Sequence, residues 1–278
     1  MEFITSDGEK VFYEVSGSGV PAVYIHGGPG YWSKSFQYSM HNLLENQLRM
    51  IYVDQRGCGR SEECSNTDFS LNRITDDFEE LRDHLGLQDW YLIAHSFGGI
   101  LALNYAKKYP NRVKGIILSN ATLNMVNSFE YQIRYSRKLL GLKKQQLHTG
   151  NKESLLNTYY TTISKLAEHN LHNQLQFKDP CNKQILDEID KDLFFGKSFQ
   201  QYVFNTGEYF YDFTTNTRSI EQPVLVISGG HDYAVDPNHH EQFKFCNAAL
   251  KVLDSGHHPY VEKQREFSEI ILDFVSES

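Results

Sequence analysis

Short apolar runs of strand length alternate with longer stretches of helical spacing along most of the chain. Phe3 and Thr5 lead into a turn at Ser6-Asp7-Gly8-Glu9, and the residues from Val11 to Val15 then alternate at strand period, so 2–15 reads as a hairpin. Residues 21–25 and 50–53 are continuous apolar runs, the pattern of strands buried on both faces. Leu71, Ile74, Phe78, Leu81 and Leu85 recur at helical spacing, and Gly86 ends that helix. Residues 90–95 form another buried run and are followed at once by a helical pattern that closes at Tyr109-Pro110. Further strand-like runs lie at 113–118, 223–228 and 250–253, and an amphipathic helix is expected over 261–275. This alternation predicts an α/β chain with a doubly wound, mostly parallel sheet, whose ligands bind at the carboxyl ends of the strands.

After the sixth strand the character changes. Strand-like runs disappear from 122 to 217 and helical patterns replace them, around 129–142, 155–167 and 185–195. The expected organisation is a core domain of 1–121 and 218–278 carrying a helical cap insertion, 122–217. The insertion ends in a stretch dense in aromatics, among them Phe195, Phe199, Tyr202, Phe204 and Tyr209. Most of these rings are expected to form the insertion's own core, with a few lining an apolar pocket.

Composition narrows the picture. The 278 residues are 40% hydrophobic and 13% aromatic, enough for a sizeable core, and the formal charge is -8. That balance, without any basic run, argues against nucleic-acid binding. Residues 121–220 carry 12 Lys and Arg against 10 Asp and Glu, which leaves -10 for the rest, so the acidity lies outside the insertion. The four cysteines are scattered with no CxxC pair, as in a reduced chain. The first residues lack a signal-peptide pattern and no run has membrane-span length. A cytoplasmic protein with no membrane partner is expected, and the pattern specifies no oligomeric state.

The chemistry gathers just beyond the strands. Ala94-His95-Ser96-Phe97-Gly98-Gly99 reads as a strand turning sharply into a helix, which lifts a serine above the sheet edge. Small residues flank Ser96 because helix and strand leave each other with almost no room. The run at 21–25 ends in His26-Gly27-Gly28-Pro29-Gly30. Glycines there let backbone N–H groups point inward at a negative oxygen, and Gly28 and Phe97 are the expected oxyanion donors. His26 is expected to pack structurally, and Asp54, Arg56 and Arg60 to brace their loop. Asp232 follows the strand at 223–228, with Asp236 as the alternative in the same loop. His257 follows the strand at 250–253, with His258 as the alternative. A serine hydroxyl is a poor nucleophile until an imidazole takes its proton and a carboxylate orients that imidazole. Ser96, Asp232 and His257 are therefore the candidate nucleophile, acid and base. A metal site is the competing reading of the histidines, but no compact ligand motif such as H-E-x-x-H supports it.

The order Ser, Asp, His is that of α/β-hydrolases, which the chain resembles over nearly its whole length. More narrowly it resembles the proline iminopeptidase group, on His26-Gly27-Gly28-Pro29-Gly30 and on Asp54-Gln55-Arg56-Gly57-Cys58-Gly59-Arg60-Ser61. The resemblance implies the α/β-hydrolase fold and cleavage of an N-terminal proline or a related small amide through an acyl-enzyme, without a cofactor. It further implies acidic cap residues that bind the substrate's free amino group, with Glu208 as the counterpart. The expected function is that of a serine hydrolase of small esters, amides or short peptides. Carboxylesterase, lactonase or C–C bond hydrolase activity, or ligand binding without catalysis, are the alternatives.

Overall fold

The computed structural model describes residues 1–61, 64–144, 147 and 150–277. Eight strands form one sheet: β1 (Glu2–Ile4), β2 (Lys10–Ser16), β3 (Val20–Ile25), β4 (Leu48–Val53), β5 (Trp90–His95), β6 (Val113–Ser119), β7 (Val224–Gly229) and β8 (Ala248–Leu253). Their order is β1-β2-β4-β3-β5-β6-β7-β8. β1 pairs antiparallel with β2, and β2 with β4, while every neighbour from β4 onward is parallel. Crossover helices cover both faces, as a parallel sheet requires.

On one face, α2 (Leu71–His84) and α3 (Gly98–Lys108) bury Ile74, Phe78, Leu81, Ile100 and Leu101 against the sheet. Ser70 caps α2 by accepting the Arg73 N–H. On the other face lie α1 (Lys34–Leu44) and α9 (Gln264–Glu277), preceded by the single turn α8 (Pro259–Glu262). The pattern of the sequence assigns no element to the region of α1. Phe36, Met40 and Leu44 do stand one turn apart there, but polar residues surround them, and only the sheet gives their stripe a partner. The Phe36 ring stacks on Tyr24 of β3 with centroids 3.8 Å apart. The expected helix at 261–275 is broken at Lys263 into α8 and α9.

Between β6 and β7 the described residues hold α4 (Met125–Leu139), α5 (Lys152–Glu168), α6 (Lys183–Ile189), α7 (Lys197–Asn205) and several short 3-10 segments, with no strand among them. Asn124 and Asn151 cap α4 and α5 with their side-chain oxygens. No helix among the described residues is long and apolar enough to cross a membrane.

Candidate active site

β5 is buried along its whole length and delivers Ser96 at its carboxyl end. Ser96 has φ 55°, a left-handed conformation that a non-glycine residue holds only when its surroundings enforce it. Those surroundings are explicit. Its N–H donates to Ser119 O (3.1 Å), and its own carbonyl accepts from Gly99 N and Thr122 N (3.0 Å each). α3 then leaves so close to β3 that a Cβ on Gly98 would run into Ile25 O and lie 2.8 Å from His26 O.

Asp232, fully buried just past β7, accepts from Ala234 N and Val235 N on Oδ1 (3.0 and 3.1 Å). Its Oδ2 accepts from Asn120 Nδ2 at 2.8 Å and from His257 Nδ1 at 2.9 Å. The other ring nitrogen of His257 lies 3.0 Å from Ser96 Oγ. The structure thus brings together an alcohol, an imidazole and a carboxylate in series. Because an ionised carboxylate only accepts, Nδ1 carries the proton, and Nε2 is the lone pair facing the serine. Burial alone would raise the Asp232 pKa, but the charge and hydrogen bond of His257 and the Asn120 donor outweigh it and hold it below the usual aspartate value.

The alternatives turn elsewhere. Asp236 accepts from Asn238 N, and His258 pairs with the Tyr260 hydroxyl and the Gln176 side chain. His95 and His258 pack at 4.7 and 5.1 Å from the His257 ring, and burial, reinforced by that neighbour, pushes the pKa of both well below the ordinary histidine value.

The glycine loop after β3 lies directly against the serine. A Cβ on Gly27 would meet Ser96 Cβ at 2.8 Å, and Gly28 has φ 125°. Gly28 and Phe97 line the same cavity as Ser96, and neither backbone N–H is taken up by another group among the described residues. His26 fixes this loop: Nδ1–H donates to Gly27 O, while Nε2 accepts from Gln55 N. Buried Asp54 holds its other end through Ser33 N, Ser33 Oγ and Arg60. Arg56 is a brace, forked between Asp77 and Asp7.

The cavity in front of Ser96 measures about 310 Å³. Aromatic rings from the helical segment, Phe129, Tyr159 and Phe204, form much of its wall, and its carboxylates are Asp187 and Asp190. Asp190 accepts from the Tyr31 hydroxyl and from Trp32 Nε1, next to the glycine loop. Glu208, expected at the substrate, is not among the lining residues. Its Oε2 accepts the Leu71 N–H at 3.2 Å, where the unpaired N–H groups of α2 attract a carboxylate. Among the described residues, no group of three or more His, Cys, Asp or Glu is arranged to hold a metal ion.

The sequence pattern singles out neither Asn120 nor Asp187 and Asp190, all of which the structure places at the site. Asn120 could have been found, since it directly follows β6 and every other site loop also follows a strand. The two aspartates carry no such signal, being acidic residues in a helical stretch of mixed charge.

The sequence pattern of the alpha/beta hydrolase fold family matches residues 21–264. The chain belongs to the α/β-hydrolase fold family. This α/β-hydrolase is 27% identical to a proline iminopeptidase of Heyndrickxia coagulans, over 99% of this chain and 98% of that one. A proline iminopeptidase-related protein from Thermus thermophilus superposes with a TM-score of 0.84 at 22% identity, covering 99% of this chain and 96% of the other. An esterase from Exiguobacterium antarcticum gives 0.72 at 20% identity, with 99% of each chain covered. At these identities the two solved structures speak to the fold alone.

Proposed function

We propose that this α/β-hydrolase is a serine hydrolase that cleaves a small ester or amide through an acyl-enzyme. Residues 122–217 act as a cap domain over a core of 1–121 and 218–278. The observation that carries the reading is the series Ser96 Oγ, His257 Nε2, His257 Nδ1, Asp232 Oδ2, linked at 3.0 and 2.9 Å. Ser96 Oγ attacks the substrate carbonyl carbon while its proton passes to His257 Nε2. Asp232 stabilises the imidazolium through Nδ1–H. The negative oxygen of the tetrahedral intermediate takes hydrogen bonds from the N–H groups of Gly28 and Phe97. As the carbonyl re-forms, the bond to the leaving group breaks and that group takes the proton from Nε2. Water then repeats the attack on the Ser96 ester, giving its proton to His257, and the serine regains it as the acid product departs. No step calls for a metal or cofactor. In Ser96→Ala, hydrolysis of a short-chain nitrophenyl ester should fall by about 10³-fold or more, with folding intact by circular dichroism. Unchanged turnover in that variant would remove the reading.

A proline iminopeptidase-like activity is the sharper form of the proposal. It is supported by the named relatives and by Asp190, a cavity-lining carboxylate beside the glycine loop that suits the cationic amino end of a peptide, whereas Asp187 is paired with Lys183 in the same wall. Comparing a proline arylamide with short acyl arylesters separates the two. Turnover confined to the esters would leave the hydrolase and discard the peptidase.

A further inference from the structure

The two loops that carry the imidazole and the carboxylate are tied to a single stretch of the cap. Residues 175–179 connect the 3-10 turn His172–Leu175 with the turn Pro180–Asn182. Leu175 O accepts the N–H of Tyr233, the neighbour of Asp232, at 3.0 Å. Gln176 O accepts the N–H of His257 itself at 2.6 Å. The Gln176 side chain faces His258 Nε2 at 3.3 Å, and buried Phe177 packs its ring 4.9 Å from the same imidazole. The approach leaves no slack: a Cβ on Gly256 would lie 2.5 Å from Gln176 O and 2.8 Å from both Phe177 Cα and Lys178 N.

Glu262 of α8 closes the arrangement. Its Oε2 accepts the Gly256 N–H at 2.6 Å, while Oε1 accepts from Asp179 N at 3.0 Å and Asn182 Nδ2 at 3.2 Å. One carboxylate therefore grips the base loop and the cap together. The division of labour along the base loop is informative. Carbonyls of Leu253, Ser255 and Gly256 accept from core donors, namely Gly230 N, His231 N and Asn120 Nδ2. The N–H donors of Gly256 and His257 go instead to Glu262 and to the cap.

We infer that residues 175–179 and Glu262 form a cap-borne brace that positions His257, with Glu262 and Gly256 as positioning residues. The inference rests on the serine-hydrolase reading. An imidazole must present Nε2 to the serine and Nδ1–H to the carboxylate at once, and a misplacement near 1 Å costs about 100-fold in rate. Gln176 and Phe177 of this brace line the cavity, whereas Glu262 and Gly256 do not, so loss of the Glu262 bonds acts through the position of the base.

The test uses the full chain and three variants, Glu262→Ala, Glu262→Gln and Gly256→Ala. The readouts are the rate of covalent labelling by a small fluorophosphonate, kcat and KM on a short-chain ester, and the thermal midpoint. Glu262→Ala should lower both the labelling rate and kcat about 10- to 100-fold with KM nearly unchanged. Glu262→Gln keeps one acceptor oxygen and should fall between this variant and wild type. If Gly256→Ala does not fold, the Glu262 pair decides the matter alone. A folded Glu262→Ala that labels and turns over like wild type, even with a lowered thermal midpoint, overturns the brace. A wild type that the probe does not label overturns the serine-hydrolase reading itself, and the brace with it.

Discussion

Ser96 and the Gly27-Gly28 turn stand on β5 and β3, inner strands buried almost throughout, whereas His257 follows β8, an edge strand with five of its six residues exposed. On the serine side, position comes from close packing: α3 touches the β3 loop, Gly27 touches Ser96, and Asp54 and His26 lock the glycine turn with buried hydrogen bonds. On the base side the strand itself is exposed, and close packing begins only in the loop beyond it, where Gly256 abuts Gln176 and Phe177. Individual bonds reaching in from Asn120, Glu262 and Gln176 then set the position of that loop. The comparison teaches that one site can rest on two kinds of support. Disturbing the packing under the serine should cost the fold, and removing a single bond from the base loop should cost rate.

One pair of glycine substitutions, against an inner strand and in the loop after β7, tests that contrast. In Gly98→Ala the new methyl would collide with two carbonyl oxygens of the β3 loop, neither of which can yield without moving the strand. Urea unfolding should show a loss of about 3 kcal/mol or more. Gly230→Ala, on the base side, meets nothing closer than Leu253 O at 3.4 Å, and its stability should stay within about 1 kcal/mol of wild type. Equal losses in the two variants would erase the distinction.

Asn120 joins the halves, since it follows β6 and its Nδ2 donates to both Asp232 Oδ2 and Gly256 O. Asn120→Ala should cost about 1–3 kcal/mol for the donors lost to a buried carboxylate. A drop in kcat of about 10-fold on a short ester should accompany it. A stability loss with kcat unchanged would confine Asn120 to the scaffold.

Acid separates the halves in another way. Burial would raise the Asp54 pKa, but the Arg60 hydrogen bond and charge, followed by His26 and Ser33, outweigh it and hold it below the ordinary 3.8. A depressed carboxyl contributes stability that is fully present above the unfolded value and is lost as the pH falls through the folded one. Removing the guanidinium in Arg60→Met takes away the largest contribution that opposes burial, so the midpoint of acid unfolding, followed by circular dichroism, should move to higher pH. An unmoved midpoint would show that the glycine turn does not depend on this pair.

How much of this could be read from the sequence follows the same division. Ser96 with its flanking glycines is a local pattern, because the close approach of helix and strand is written within a few residues. Asp232 and His257 were legible because each lies within four residues of a strand's end. The ties of the base half were not. Gln176 lies 81 residues before His257, and Glu262 lies 83 residues after Asp179, so no spacing or periodicity links them. Helix α1 escaped for a related reason, since its apolar stripe has meaning only against Tyr24 and the sheet. The expectation for Glu208 rests on a resemblance alone, and it is the start of α2, distant in sequence, that takes its carboxylate.

That placement gives the smallest expected effect. Glu208→Gln keeps an acceptor for Leu71 N and loses only the charge at the start of α2, so it should cost about 0.5 kcal/mol in thermal or urea unfolding. Its turnover of esters and of a proline arylamide should match wild type. A fall of about 10-fold confined to the arylamide would return Glu208 to the substrate.

Covalent capture tests most directly whether Ser96 is a nucleophile activated by His257. After exposure of the native chain to a fluorophosphonate, intact mass should show one adduct, peptide mapping should place it on Ser96, and Ser96→Ala should take up none. A wild type that stays unlabelled, or a Ser96→Ala variant labelled to the same extent, would contradict it.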